Sequence, residues 1–261
     1  MYPDTSTTHS LSFNVSGQMF GISLDLSSIA TIEIFLYDFS LYATNYSSPL
    51  TTIDGHYMVK WSWTEVSDTW IFDKGSSTMW NTSGYNDPGG NTGELLTFEF
   101  MINFTVSTMA NAGNWHATAK VTYDDANAFL KESQTLTMNT VLQLSLSESN
   151  YRFSDLSSNN SGILPQEGLG TITILSNTDW ELWLRIDNLF ALNSPDVNTN
   201  NDVLTVNNSF VYNYSDIFFS GTAMSSEIGT VLVLDIRSWW HPSMELDTMY
   251  TTTLYYSLIG V

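Results

Sequence analysis

Residues 113–125, GNWHATAKVTYDD, alternate without a break. Trp115, Ala117, Ala119, Val121 and Tyr123 are apolar or aromatic, while Asn114, His116, Thr118, Lys120, Thr122 and Asp124 are polar. A period of two marks a strand with one face in a core and the other in water. Residues 95–106 repeat it, with Leu96, Phe98, Phe100, Ile102, Phe104 and Val106 in phase. Asn111 and Gly113 punctuate the connection, so the two runs are expected to pair as a hairpin. Phe100 and Trp115 then belong to one core, and the polar face, Thr118 included, to the surface.

The rest of the chain is built in the same way. Leu11, Phe13 and Val15 alternate, as do Ile22, Leu24 and Leu26, and residues 31–39 form a denser run expected to be buried on both faces. Tyr57, Val59, Trp61 and Trp63 share a face. So do Leu136, Met138, Leu142, Leu144 and Leu146, and later Trp180, Leu182, Leu184 and Ile186. Ile172 with Ile174, and residues 203–206, 209–214 and 230–237, supply further strands, and Tyr250, Thr252, Leu254, Tyr256 and Leu258 close the chain. Turn-forming residues fill 46–54, 73–93, 147–170 and 193–202. No stretch carries three turns of helical periodicity. Many short strands separated by turns indicate an all-β protein of sandwich type rather than βαβ units. The break at residues 124–132 predicts two β-sandwich domains in tandem, 1–131 and 132–261. Residues 1–10, MYPDTSTTHS, form a polar arm with too little apolar surface to fold alone.

Composition supports that class. Apolar residues make up 43% of the 261, aromatics 14% and charged residues only 13%, about half the usual share of roughly 25%. Ser, Thr and Asn supply the polar half of the alternation, which suits strands better than helices. The net charge is −20, from 27 acids against seven Lys and Arg. That balance excludes the basic footprint a nucleic acid needs and disfavours an anionic lipid surface. There is no cysteine, which removes disulfides, thiolate catalysis and cysteine zinc sites. No apolar run approaches the roughly 18 residues of a membrane span, and no signal peptide precedes Tyr2. A secreted, mature chain with any signal or anchor outside it is the expectation.

Candidate chemistry is sparse. His9, His56, His116 and His241 are scattered, without a second ligand at strand spacing. There is no Gly-x-Ser-x-Gly; Gly89 and Gly90 lack the Lys and helix of a P-loop; and the acid pair Asp124–Asp125 lacks a facing partner. No enzymatic activity is expected. In the loop NSPDVNTNND, Asp196, Asn198, Asn200 and Asp202 alternate as oxygen ligands do around Ca2+, without the Gly and distant Glu of an EF-hand. An Asn-rich turn bonding its own backbone accounts for the same residues. Tryptophans gather at Trp61, Trp63, Trp70 and Trp80 and again at Trp180, Trp183, Trp239 and Trp240. Trp180 and Trp183 cannot share a strand face, so one points away from the core. Sequons place candidate glycans on Asn14, Asn45, Asn81, Asn103, Asn159, Asn207 and Asn213, although Ser and Thr are common enough to produce nearly as many by chance.

The pattern Gly-x-Trp, then small or β-branched residues alternating with Thr or Lys, then an Asp pair, resembles the closing strand of immunoglobulin-like or PKD-like modules of archaeal and bacterial surface proteins. MYTTTLYYSLIG, residues 249–260, resembles their terminal strand. The resemblance covers about a tenth of the chain. It implies immunoglobulin-like sandwiches used in adhesion, stalks, layers or filaments, and assigns no residue a role. The expectation is an extracellular, cell-surface structural protein, a glycoprotein of archaeal or bacterial type that polymerises with itself by strand donation. Leu11, Phe13 and Val15 are the candidate donor strand. An adhesive or carbohydrate-binding module is the alternative, with a viral structural protein behind it.

Overall fold

The computed structural model describes residues 1, 3–4, 6–16, 18–19, 22–23, 29–42, 57–67, 69–90, 97–124, 128–154, 162–166, 168–192, 194–198, 202–223, 228–245 and 248–261. The chain is all-β, with several antiparallel sheets and one single-turn helix among these residues. It divides into two compact units, Met1–Val141 and Leu142–Val261.

The first unit begins with β1 (Thr8–Ser16), the short pair β2 (Gln18–Met19) and β3 (Ile22–Ser23), and β4 (Ile29–Asp38). The one-turn helix α1 (Phe39–Tyr42) follows, then β5 (Met58–Val66), β6 (Thr69–Phe72), β7 (Thr82–Tyr85) and β8 (Gly89–Gly90). β9 (Thr97–Thr105), β10 (Gly113–Tyr123) and β11 (Ala128–Met138) complete it. One sheet has the order β1-β9-β7 and the other β11-β10-β4-β5-β6-β8. Their inner faces share a single core: Leu11, Phe13, Phe100, Ile102 and Phe104 from the first, and Ile32, Ile34, Trp61, Trp63, Trp115 and Ala117 from the second. Two sheets about one core is a sandwich-like arrangement.

Phe100 and Trp115 therefore do lie in one core, but not as members of a hairpin. β9 pairs with β1 and β7, and β10 with β4 and β11. Residues 106–112 cross from one sheet to the other instead of turning back. The crossing is tied down where Asn111 donates to Asp38 Oδ2 (2.7 Å) and Trp115 Nε1 donates to the Asn111 carbonyl (2.7 Å). Alternation assigns a face to each strand, not a neighbour.

The polar face of β10 also differs from expectation. His116 and Thr118 are buried because β4 and β5 present Phe35, Tyr37 and Met58 on the same side, joined by Phe39. Phe39 stacks on the His116 ring at 3.8 Å, and the Thr118 and Tyr37 hydroxyls are 3.1 Å apart. Further along this face Glu33 sits between Lys60 (2.8 Å) and Lys120 (3.1 Å). Burial pushes its carboxyl up, but the Lys60 hydrogen bond and the Lys120 charge outweigh it and leave the group below its ordinary value. Thr118→Val is expected to cost about 0.5–1.5 kcal/mol, the net worth of a typical hydrogen bond. Thr122→Val, on the same face but partly exposed, should stay within about 0.5 kcal/mol. Equal small losses in a denaturant titration would return this whole face to solvent.

The N-terminal residues are not a detached arm. The Met1 carbonyl accepts from Asn139 N–H (2.9 Å), Met1 packs on the core, and Pro3 is buried. Asp4 closes a turn, its carboxylate accepting from Thr7 and Ser6 N–H and from both hydroxyls, which brings its pKa down to about 2. The domain boundary also moves. β11 pairs with β10 as far as Met138, so a division after residue 131 would cut a strand, and the units part after Val141 instead.

The second unit opens with β12 (Leu142–Leu146), β13 (Gly170–Ser176), β14 (Trp180–Ile186), β15 (Leu189–Ala191) and β16 (Ser194–Val197). It continues through β17 (Leu204–Val206), β18 (Ser209–Phe210), β19 (Asp216–Gly221), β20 (Thr230–Leu234), β21 (Ile236–Ser238) and β22 (Leu254–Gly260). Three sheets of three strands, β12-β13-β20, β19-β14-β22 and β18-β17-β21, enclose Ile172, Ile174, Trp180, Leu182, Leu184, Val206, Leu234 and Ile236. β15 and β16 form a separate hairpin whose Val197 clusters with Val203 and Met244.

Candidate functional surfaces

The proposed calcium ligands are spread over several local structures. Asp196 lies in β16, Asn198 follows it, and Asn200 is outside the described residues. Asp202 adopts a left-handed backbone (φ 59°), and its carboxylate accepts from the Tyr212 hydroxyl (3.2 Å). Among the described residues no group of three or more His, Asp or Glu is placed to hold a metal. The histidines have separate surroundings. His9 lies near Phe104 (6.1 Å), His116 is in the buried face of β10, and His241 Nδ1 accepts from Ser243 N–H (3.1 Å). His56 is outside the described residues. So are Asp125, the sequon residues Asn45 and Asn159, and residues 95–96 of the run that became β9.

The remaining sequons sort by environment. Asn14, Asn81 and Asn213 are exposed. Asn103 is half-buried in the central strand β9, where a Cβ on Gly84 would come within 3.1 Å of its amide nitrogen. Asn207 is occupied in another way. With Asn208 it forms the two-residue turn between β17 and β18, both at positive φ (48° and 67°), as such hairpin turns require. Its backbone N–H donates to the Asp235 carbonyl (2.9 Å), its Oδ1 accepts from Asp235 N–H (2.8 Å), and its Nδ2 donates to the Val233 carbonyl (3.4 Å). Asp235 is where the chain leaves β20 in one sheet and enters β21 in another. Asn207 holds that corner.

The candidate assembly residues Leu11 and Phe13 are buried, and Val15 packs beside them. β1 pairs with β9 of its own chain along all nine residues. β1 is itself an edge of its three-stranded sheet, and further edges lie elsewhere. β11, eleven residues long, ends its sheet. β20, of sequence TVLVL, ends another, with Val231 52% and Val233 54% exposed and Ile228, just before it, 75% exposed. Periodicity does not reveal this edge, since a run apolar on both faces reads as a buried strand. Edge position depends on which strands pair.

The tryptophans divide as parity requires. Trp61, Trp63, Trp70, Trp80, Trp115 and Trp180 are in cores. Trp183 faces out of β14 and donates its indole N–H to Glu181 Oε2 (3.1 Å).

Compared with known proteins, the chain matches no family model, and no curated protein or solved structure is significantly similar to it. Among the described residues no helix is long and apolar enough to cross a membrane.

Proposed function

We propose that the protein is an extracellular structural subunit of a cell-surface polymer, a filament or layer, whose copies join by strand pairing at sheet edges. The observation that carries this reading is β20. It is an edge strand without a charged residue, its outward side chains are more than half exposed, and its neighbours across the strand are Thr171 and Thr173. Monomers ordinarily blunt such edges with charge, proline or a bulge, because unpaired N–H and C=O groups template pairing with another chain. Here Asn207 caps only the end at Val233 and Asp235. Leu11, Phe13 and Val15 serve their own core, so the joining strand in this reading is β20 and not the first strand. Immunoglobulin-like or PKD-like modules of archaeal or bacterial surfaces remain the kind of protein proposed. Asn14, Asn81 and Asn213 are its accessible glycan acceptors.

Adding charge to the edge tests this. The double variant Val231→Lys, Val233→Lys should abolish polymers seen by electron microscopy and sedimentation. Because both side chains are largely exposed, each change should shift stability by only about 0.5 kcal/mol. Polymers that persist would exclude β20 as the contact. Native protein that stays monomeric throughout would exclude the polymer itself.

A further inference from the structure

The outward face of the β19-β14-β22 sheet carries a row that core packing does not require. Along β14, Glu181, Trp183 and Arg185 alternate with the buried Leu182, Leu184 and Ile186, and Asp187 follows. Successive members are about 7 Å apart, two residues along a strand. Across the sheet, Ser220 and Ile259 lie on either side of Glu181, Ile217 and Ser257 on either side of Trp183, and Tyr255 opposite Arg185.

The polar groups of this row are held in place. The Trp183 N–H bond to Glu181 Oε2 orients the indole and leaves Glu181 Oε1 as an acceptor. The Arg185 guanidinium lies 3.9 Å from the centre of the Tyr255 ring and donates to Asp187 Oδ1 (3.2 Å). The Tyr255 hydroxyl donates to Asp187 Oδ2 (2.7 Å). Side chains fixed in this way lose little freedom when a ligand arrives.

We propose that this face binds a neutral saccharide, with the Trp183 indole stacked on the apolar C–H face of a sugar ring. Glu181 accepts hydrogen bonds from the sugar hydroxyls on one side of the indole. Arg185 donates to them on the other, and Ser220 and Ser257 line the margin. An apolar plane with a few fixed polar groups beside it is the general composition of a small-ligand site. A protein interface has the opposite layout, an apolar centre within a polar rim. Here the central row is polar apart from its one indole, and the exposed apolar residues Ile217 (45%), opposite Trp183, and Ile259 (47%), opposite Glu181, extend the apolar surface onto the two flanking strands. Acidic polysaccharides are excluded by two carboxylates against one guanidinium in the row and by a net charge of −20. The site is separate from the β20 edge, so either can fail without the other.

Native electrophoresis of the full chain through gels containing hydroxyethylcellulose, α-mannan or galactomannan tests it, with alginate as the acidic control. At least one neutral polymer should slow migration twofold or more, and alginate should not. Trp183→Ala should restore the polymer-free mobility. Trp183→Phe, which keeps a ring on the same strand, should retain part of the retardation and guards against a misfolded alanine variant. Three results would overturn the proposal: no retardation by any neutral polymer, equal retardation by alginate, or retardation unaffected by Trp183→Ala. A change in sedimentation of Trp183→Ala without a change in gel mobility would also overturn it, and would assign the face to contact between copies.

Discussion

Deleting residues 1–16 is expected to unfold the first unit rather than release an intact monomer. The deletion removes the whole of β1, with its nine paired residues, and takes Leu11 and Phe13 out of the core. Each of these side chains alone is worth about 2–5 kcal/mol when truncated. Their sum, with the lost strand pairing, rivals the roughly 5–15 kcal/mol that holds a domain together. The five tryptophans of that core, Trp61, Trp63, Trp70, Trp80 and Trp115, should shift their fluorescence to the red, and limited proteolysis should clear residues 17–141. A soluble truncated chain with native emission, still folded but unable to polymerise, would show instead that β1 is a donor strand and that its pairing with β9 is dispensable.

Phe100→Ala should cost about 3–5 kcal/mol, the range for a fully buried aromatic. Phe100 meets Trp63 and Trp70 edge-on, both with ring centres 5.5 Å away, and such pairs add about 0.5–1.5 kcal/mol beyond their buried area. The urea midpoint of the first unit should fall with little change in slope. Ser12→Ala, on the exposed face of neighbouring β1, is the control and should stay within about 0.5 kcal/mol. A small loss at Phe100 would mean that β9 does not face the second sheet, and the sandwich-like core would have to be redrawn.

The amino-acid order by itself determined the class of the protein and the inward side of most strands. Leu11, Phe13, Phe100, Trp115, Trp180 and Leu182 all face their cores as a period of two demands, because a pleated strand sends successive side chains to opposite faces whatever it pairs with. Parity also required that one of Trp180 and Trp183 point outward, so part of the saccharide face was legible. The pairing of Arg185 with Tyr255 was not, since Tyr255 arrives on a distant strand whose register is set by hydrogen bonds across the sheet.

Other features depended entirely on the tertiary structure. It separated β9 from β10, because two half-buried strands with the same period suit a hairpin and opposite sheets equally well. It buried Thr118 and His116, because what covers one strand's polar face is contributed by Phe35, Tyr37, Phe39 and Met58 from other elements. It placed TVLVL at an edge and turned the Asn207 sequon into a corner clamp. Local alternation records which side of a strand is apolar, and only the packing of distant segments decides what that side meets.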